Sequence, residues 1–220
     1  MEENETRLKV STLEVLVVAA SLRKGSLNAQ LAQLAARVAE EAGANVHLAS
    51  MHDFDTPSYD GDVESEQGIP AGAQALKRRL EASDAFILAS PEYNGSMPGV
   101  LKNTIDWASR FRPQPFDGRH GLLMSASPSL AGGNRGLWAL RMPLEHLGAR
   151  IFPDMFSLAQ AHEALTEGDI ANPALRRRFD TTIQAFLSLA EAARHYPCMK
   201  RAWVEFLGEP PAAGADRVDR

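Results

Sequence analysis

Short runs of uninterrupted apolar residues alternate along the chain with longer stretches in which apolar residues recur every third or fourth position. Val15-Leu16-Val17-Val18-Ala19, within residues 14–20, has the character of a strand buried on both faces. Leu31, Leu34, Ala35, Val38 and Ala39 then mark an amphipathic helix that ends near Gly43. A second short strand follows over 45–48, and residues 51–70, rich in Asp, Glu, Gly and Pro, read as one long loop. Leu76 and Leu80 place a helix over 71–82, and Ala85-Phe86-Ile87-Leu88-Ala89 is a third strand. Val100, Leu101, Thr104, Ile105 and Ala108 predict a helix opened by Pro98, where a missing N–H is harmless. Residues 120–125 form a fourth strand, and the stripe Leu137, Leu140, Leu144, Leu147 a helix closed by Gly148. Residues 150–156 read as the fifth strand. Phe179, Ile183, Phe186 and Leu187 give a last helix over 174–195, stopped by Pro197.

Five strands alternating with helices predict a parallel sheet with right-handed crossovers, hence a three-layer α/β sandwich. Strand order 2-1-3-4-5, the flavodoxin-like arrangement, suits that count, and its switch point lies between strands 1 and 3. The loops after strands 1, 3 and 4 then converge at one crevice. The expected domain covers residues 1–195, frayed at its polar start, with a partly disordered tail over 196–220.

Each of those loops is rich in small and polar residues. Ser21 to Asn28 brings two further chemistries, the guanidinium of Arg23 and the hydroxyls of Ser21 and Ser26, to a helix N-terminus. Free N–H groups, the helix dipole and a forked cation there favour a phosphate. Simple capping by Ser26 or Asn28 accounts for one of these residues, but not for Arg23 or Ser21. The loop is neither G-x-x-x-x-G-K-[ST] nor G-x-G-x-x-G, so a monophosphate is expected rather than a triphosphate. Pro91, Asn94 and Gly95 shape the second loop and leave backbone donors outward, with Tyr93 either facing the ligand or a surface aromatic. The third loop offers Ser127, Ser129 and the pair Gly132-Gly133, which either admits a flat ring to the main chain or turns the chain into the next helix.

These three stretches resemble the NAD(P)H-dependent FMN reductase family, which includes quinone, azo and chromate reductases. Ala20-Ser21-Leu22-Arg23-Lys24-Gly25-Ser26-Leu27-Asn28 resembles its phosphate motif G-S-x-R-x-x-S-x-N, with Ala20 in place of the first glycine. Residues 91–107 resemble P-E-Y-N-x-S-x-P-G-x-L-K-N-x-I-D-W, and Ser127 to Arg135 resembles the third, glycine-rich stretch. The similarity covers residues 12–155. It implies an FMN-dependent NAD(P)H oxidoreductase that reduces quinones, azo compounds, chromate or free flavin by ping-pong hydride transfer. Flavin N5 would carry the chemistry, with NADPH or NADH as co-substrate and no catalytic side chain. Ser21, Arg23, Ser26, Leu27 and Asn28 would hold the phosphate. Pro91, Glu92, Tyr93, Asn94 and Gly95 would line the isoalloxazine, and Ser127, Gly132 and Gly133 would meet its pyrimidine end. Dimers or tetramers are implied, often through the helix after the second motif, which makes Asp106, Trp107 and Arg110 interface candidates. The alternatives are a flavodoxin-type electron carrier and a flavin-binding module without turnover.

Other features narrow the picture. A net charge of −5 gives no reason to expect nucleic acid, and no apolar run is long enough to span a membrane. The acidic start Met1-Glu2-Glu3-Asn4-Glu5 lacks a signal-peptide pattern, and Cys198 is the single cysteine, so a reducing cytoplasm is expected. Six histidines are scattered without an i,i+4 pair, and the acidic residues of 53–66 lack calcium-loop spacing, so no metal is expected. Gly95-Ser96-Met97-Pro98-Gly99 is not G-x-S-x-G, which disfavours a serine hydrolase.

Overall fold

A computed structural model describes residues 12–194; the tail expected over 196–220, Cys198 and residues 1–11 lie outside the described residues. Four apolar runs become the strands β1 (Glu14–Ala19), β2 (Asn45–Ser50), β3 (Ala85–Ala89) and β4 (His120–Ala126). Short strands β5 (Arg150–Ile151) and β6 (Phe156–Leu158) follow. All pair in parallel, in the order β2-β1-β3-β4-β5, with β6 also on β4. This is the flavodoxin-like order. Val15 sits between Val46 and Ala85, and Ala89 is in register with both Ala19 and Met124, so β1 and β3 finish level at the carboxyl edge and β4 runs on to Ala126.

Alternate strand residues feed two cores. Val15, Val17, Ile87, Leu122 and Met124 pack under α1 (Leu27–Glu41) and α7 (Pro173–Arg194). Leu16, Val18, Phe86, Leu88 and Leu123 pack under α3 (Ala71–Glu81), α4 (Gly99–Ala108) and α5 (Asn134–His146). Burial on both faces is why these strands carry no polar alternation.

Three stretches differ from the sequence expectation. Residues 51–70 are not one loop: a 3-10 turn at Met51–Phe54 buries Met51 and Phe54, and α2 spans Gly61–Gln67. α2 buries nothing, so hydrophobic periodicity could not reveal it. It is held by its caps, with the Asp60 side chain accepting from the Asp62 N–H, and by α4. There the Asn103 side-chain oxygen accepts from Tyr59 N–H at 2.8 Å, Trp107 Nε1 donates to the Pro57 carbonyl at 2.8 Å, and Arg110 pairs with Glu64 at 2.9 Å. Trp107 is fully buried, which removes it from the interface candidates; Asp106 bonds Lys102 on the same helix. The fifth strand is broken at 152–155. Pro153 cannot donate to a ladder, so β5 pairs with the start of β4 and β6 with its end. Beyond it come α6 (Ala161–Ala164) and a two-residue hairpin of β7 (Leu165–Thr166) and β8 (Asp169–Ile170), too short to leave a periodic signal.

Candidate cofactor site

The first loop leads from β1 into α1. Ser26 caps α1: its Oγ accepts from the Asn28 N–H at 3.2 Å. Ser21 Oγ accepts from the Arg23 N–H at 3.3 Å, which curls the loop. Both serines are buried, whereas Arg23 and Lys24 are exposed. No carboxylate of the described residues pairs with either cation. Two free positive charges and two hydroxyls therefore sit beside the positive end of a fifteen-residue helix dipole. Leu27 packs its side chain against the core and offers only its backbone.

Asn28 does something other than hold an anion. Its Nδ2 donates to the Ala126 carbonyl and its Oδ1 accepts from the Ala126 N–H, each at 2.9 Å, and the residue is 3 % exposed. Both polar ends staple the start of α1 to the end of β4. The motif gave no sign of this structural task, which the Asn28 side chain carries whatever the loop binds.

The second loop runs from Ser90 to Pro98. Tyr93 and Ser96 exchange two backbone hydrogen bonds, at 2.9 and 3.0 Å, around Asn94 (φ 52°) and Gly95 (φ 75°). Left-handed angles at both central residues make a tight hairpin turn, a role for which Asn-Gly is suited. The Tyr93 N–H is engaged in that turn rather than free, and its ring stands half exposed. Pro91 is half-buried.

Glu92 turns inward. Its carboxylate accepts from Arg135 Nε at 2.8 Å and from the Gly136 N–H at 3.1 Å, and its side chain is 8 % exposed. Gly133, the residue before α5, has no side chain to cap that helix, so Glu92 caps it from another loop. Gly136 must stay small, because a Cβ there would come within 3.0 Å of the Glu92 Cβ. The Glu92 carboxylate joins the second loop to the third.

In the third loop Ser127 is half-buried and Ser129 exposed, their hydroxyls 3.0 Å apart. Gly132 and Gly133 are buried with φ of 62° and 85°. A Cβ on Gly133 would overlap Ser125 Oγ, and one on Gly132 would crowd the end of β6. The protein's own packing accounts for this pair, which is the turn-into-helix reading. Beneath them, register partners Ser125 and Ser157 keep buried hydroxyls with no protein hydrogen-bond partner, a feature without a sequence signal.

Asn28 and Glu92 thus tie the first and second loops to the third, and the carboxyl rim of the sheet is one continuous wall. Arg135 and Gly136 complete it; they lie more than forty residues from Glu92, so no local pattern in the sequence links them. An open hollow of about 460 Å³ lies at the opposite end of the sheet, near Leu13, Gly43, Leu187 and Glu191. Its described lining residues include none from the loops and no Lys or Arg, so the carboxyl rim is the better anion site.

Burial pushes the Glu92 carboxyl up, but the bonds from Arg135 and Gly136 outweigh it and hold the group below the usual carboxylate range. A depressed folded pKa contributes stability that is whole above the unfolded value of about 4.3 and lost as pH falls through the folded one. Wild type is therefore expected to exceed Glu92→Gln in unfolding midpoint at pH 7, with the gap closing as pH drops toward 3. Urea unfolding of both proteins across that range reads it; a gap independent of pH would remove the ionised clamp.

The family model for NADPH-dependent FMN reductase matches residues 13–163. The chain belongs to that family. A quinone reductase of Escherichia coli (strain K12) is 39 % identical over 139 residues, 63 % of this chain and 73 % of the relative. An NAD(P)H-dependent FMN reductase of Pseudomonas aeruginosa is 38 % identical over 61 % of this chain and 71 % of its own length. Among solved structures, the flavoenzyme NAD(P)H:(acceptor) oxidoreductase of Paracoccus denitrificans superposes with a TM-score of 0.68 at 29 % identity, covering 83 % of this chain and 98 % of that one. The matched span of this FMN reductase family chain holds all three loops, and the chain is an oxidoreductase by membership. No helix of the described residues is long and apolar enough to cross a membrane.

Proposed function

We propose that the chain binds FMN at the carboxyl rim and uses it to pass reducing equivalents from NAD(P)H to a small acceptor, a quinone by analogy with the named relatives. The observation that carries this is the pair of cations Arg23 and Lys24, paired with no carboxylate of the described residues, beside two hydroxyls at the start of α1. Arg23, Ser21, Ser26 and the first N–H groups of α1 would hold the phosphate. The turn at Tyr93–Ser96 and the third loop, with Ser127, would flank the ring system. Asn28, Glu92, Gly132 and Gly133 would act as frame. Bound FMN supplies the two-electron chemistry. The residues around it bind and orient; none of them needs to move a proton. The domain would close at the end of α7, and the chain would assemble with copies of itself.

One crevice serves both substrates, so donor and acceptor must take turns. Steady-state oxidation of NADPH at several fixed quinone concentrations is expected to give parallel reciprocal plots, with high quinone competing against NADPH. Intersecting plots would require separate sites. No oxidation with any quinone, by protein that retains FMN, would leave a carrier or a binding module.

A further inference from the structure

His52 is one of the six scattered histidines, and it follows β2 rather than standing in any of the three rim loops. Its side chain is exposed, yet Nε2 lies 3.2 Å from the Leu22 carbonyl oxygen in the first loop. A carbonyl only accepts, so Nε2 carries the hydrogen and donates. The turn that bears His52 is secured without this bond. Met51 and Phe54 on either side are buried, and the Asp53 carboxylate accepts from the Ser50 N–H at 2.7 Å. α3 also lies so close that a Cβ on Gly72 would overlap the Asp55 carbonyl. The first loop has fewer supports of its own. No backbone–backbone hydrogen bond of the described residues involves residues 21–25.

The bond from His52 falls on a particular peptide group. The unit between Leu22 and Arg23 has two polar ends, the Leu22 carbonyl and the Arg23 N–H. His52 holds the first, and Ser21 Oγ accepts from the second at 3.3 Å. With both ends held, the peptide plane cannot rotate without losing both bonds, and the direction in which Arg23 leaves the main chain is set with it. Released, the Leu22 carbonyl would be free to swing its negative end toward an anion. The Arg23 side chain pairs with no carboxylate of the described residues, so the backbone beneath it does the aiming.

We infer that His52 is a positioning residue for the phosphate loop: through the Leu22 carbonyl it fixes the peptide group from which Arg23 reaches the anion. A loop ordered beforehand loses less freedom when its ligand arrives. The inference rests on the carboxyl rim being the FMN phosphate site.

FMN and riboflavin differ only in the phosphate, so titrating each into apoprotein isolates the loop. His52→Leu is expected to weaken FMN binding by about two- to tenfold, the worth of one neutral hydrogen bond, and to leave riboflavin binding as in wild type. His52→Gln, whose side-chain amide can donate to the same carbonyl, is expected to bind FMN as wild type does. On an Arg23→Ala background His52→Leu is expected to cost nothing further, because its effect passes through Arg23. Urea unfolding of the apoprotein is expected to be unchanged by either substitution at 52, and a lowered midpoint would make His52 a support of its own turn instead. The inference is overturned by wild-type FMN affinity in His52→Leu, by equal losses for both ligands, by failure of glutamine to rescue, or by the full loss recurring without Arg23. Wild type that binds riboflavin as tightly as FMN is a separate failure, one that removes the phosphate from the rim and this role of His52 with it.

Discussion

Asn28→Ala is expected to destabilise the protein by about 2–6 kcal/mol, because it strands the buried N–H and carbonyl of Ala126 at roughly 1–3 kcal/mol each. For a chain of this size that is a fall in Tm on the order of 5–15 °C. The contrast with the motif reading is direct. If Asn28 held a phosphate, its loss would weaken FMN binding and leave apoprotein stability nearly unchanged. With the staple as found, the apoprotein itself weakens, and FMN affinity falls only as the first and third loops drift apart. Asn28→Asp separates the two halves of the staple. It can still accept from the Ala126 N–H but turns a carboxylate toward the carbonyl, so it is expected to be no better than alanine. Denaturant unfolding of apoprotein, paired with FMN titration, reads both. Unchanged unfolding with a large loss of affinity would return Asn28 to the phosphate.

Arg23→Ala is expected to show the opposite signature. The side chain is exposed and makes no side-chain bond in the described residues, so its removal leaves the fold intact. A hydrogen bond to a charged group is worth about 1.5–3 kcal/mol, hence roughly a ten- to hundredfold loss of FMN affinity. Raised salt should narrow the difference, since the interaction is partly solvent-facing. Lys24→Ala tests whether the neighbouring cation shares the load. Equal affinity in wild type and Arg23→Ala, with riboflavin bound as tightly as FMN, would place the phosphate elsewhere.

Strand order was legible because buried parallel strands announce themselves as unbroken apolar runs, and the glycines at 43 and 148 end α1 and α5 as expected. The loops' positions followed from that order. What each residue does inside them was not legible. Asn28 and Glu92 sit in motifs that suggest ligand contact, yet each spends its polar atoms on partners more than forty residues away. A sequence shows that a polar group is present; it does not show which distant backbone leaves a buried donor or acceptor to be satisfied. The segment at 51–70 eluded periodicity for a related reason. α2 rests on caps and on the Glu64–Arg110 pair, and the residues leading into it on Asn103 and Trp107 of α4, not on an apolar face. Pro153 was visible, and its effect on the fifth strand follows from its missing donor.

The turn at Tyr93–Ser96 closes on its own two backbone hydrogen bonds, and the clamp behind it is made by the Glu92 carboxylate alone. It is a detachable tip on a fixed mount. The aromatic at 93 and the dipeptide at 94–95 can be exchanged for others, provided 94 and 95 accept left-handed angles, without touching the carboxylate bonds by which Glu92 holds the second loop to the third. Grafting four residues there is expected to alter what the proposed site accepts while leaving urea unfolding as in the wild type.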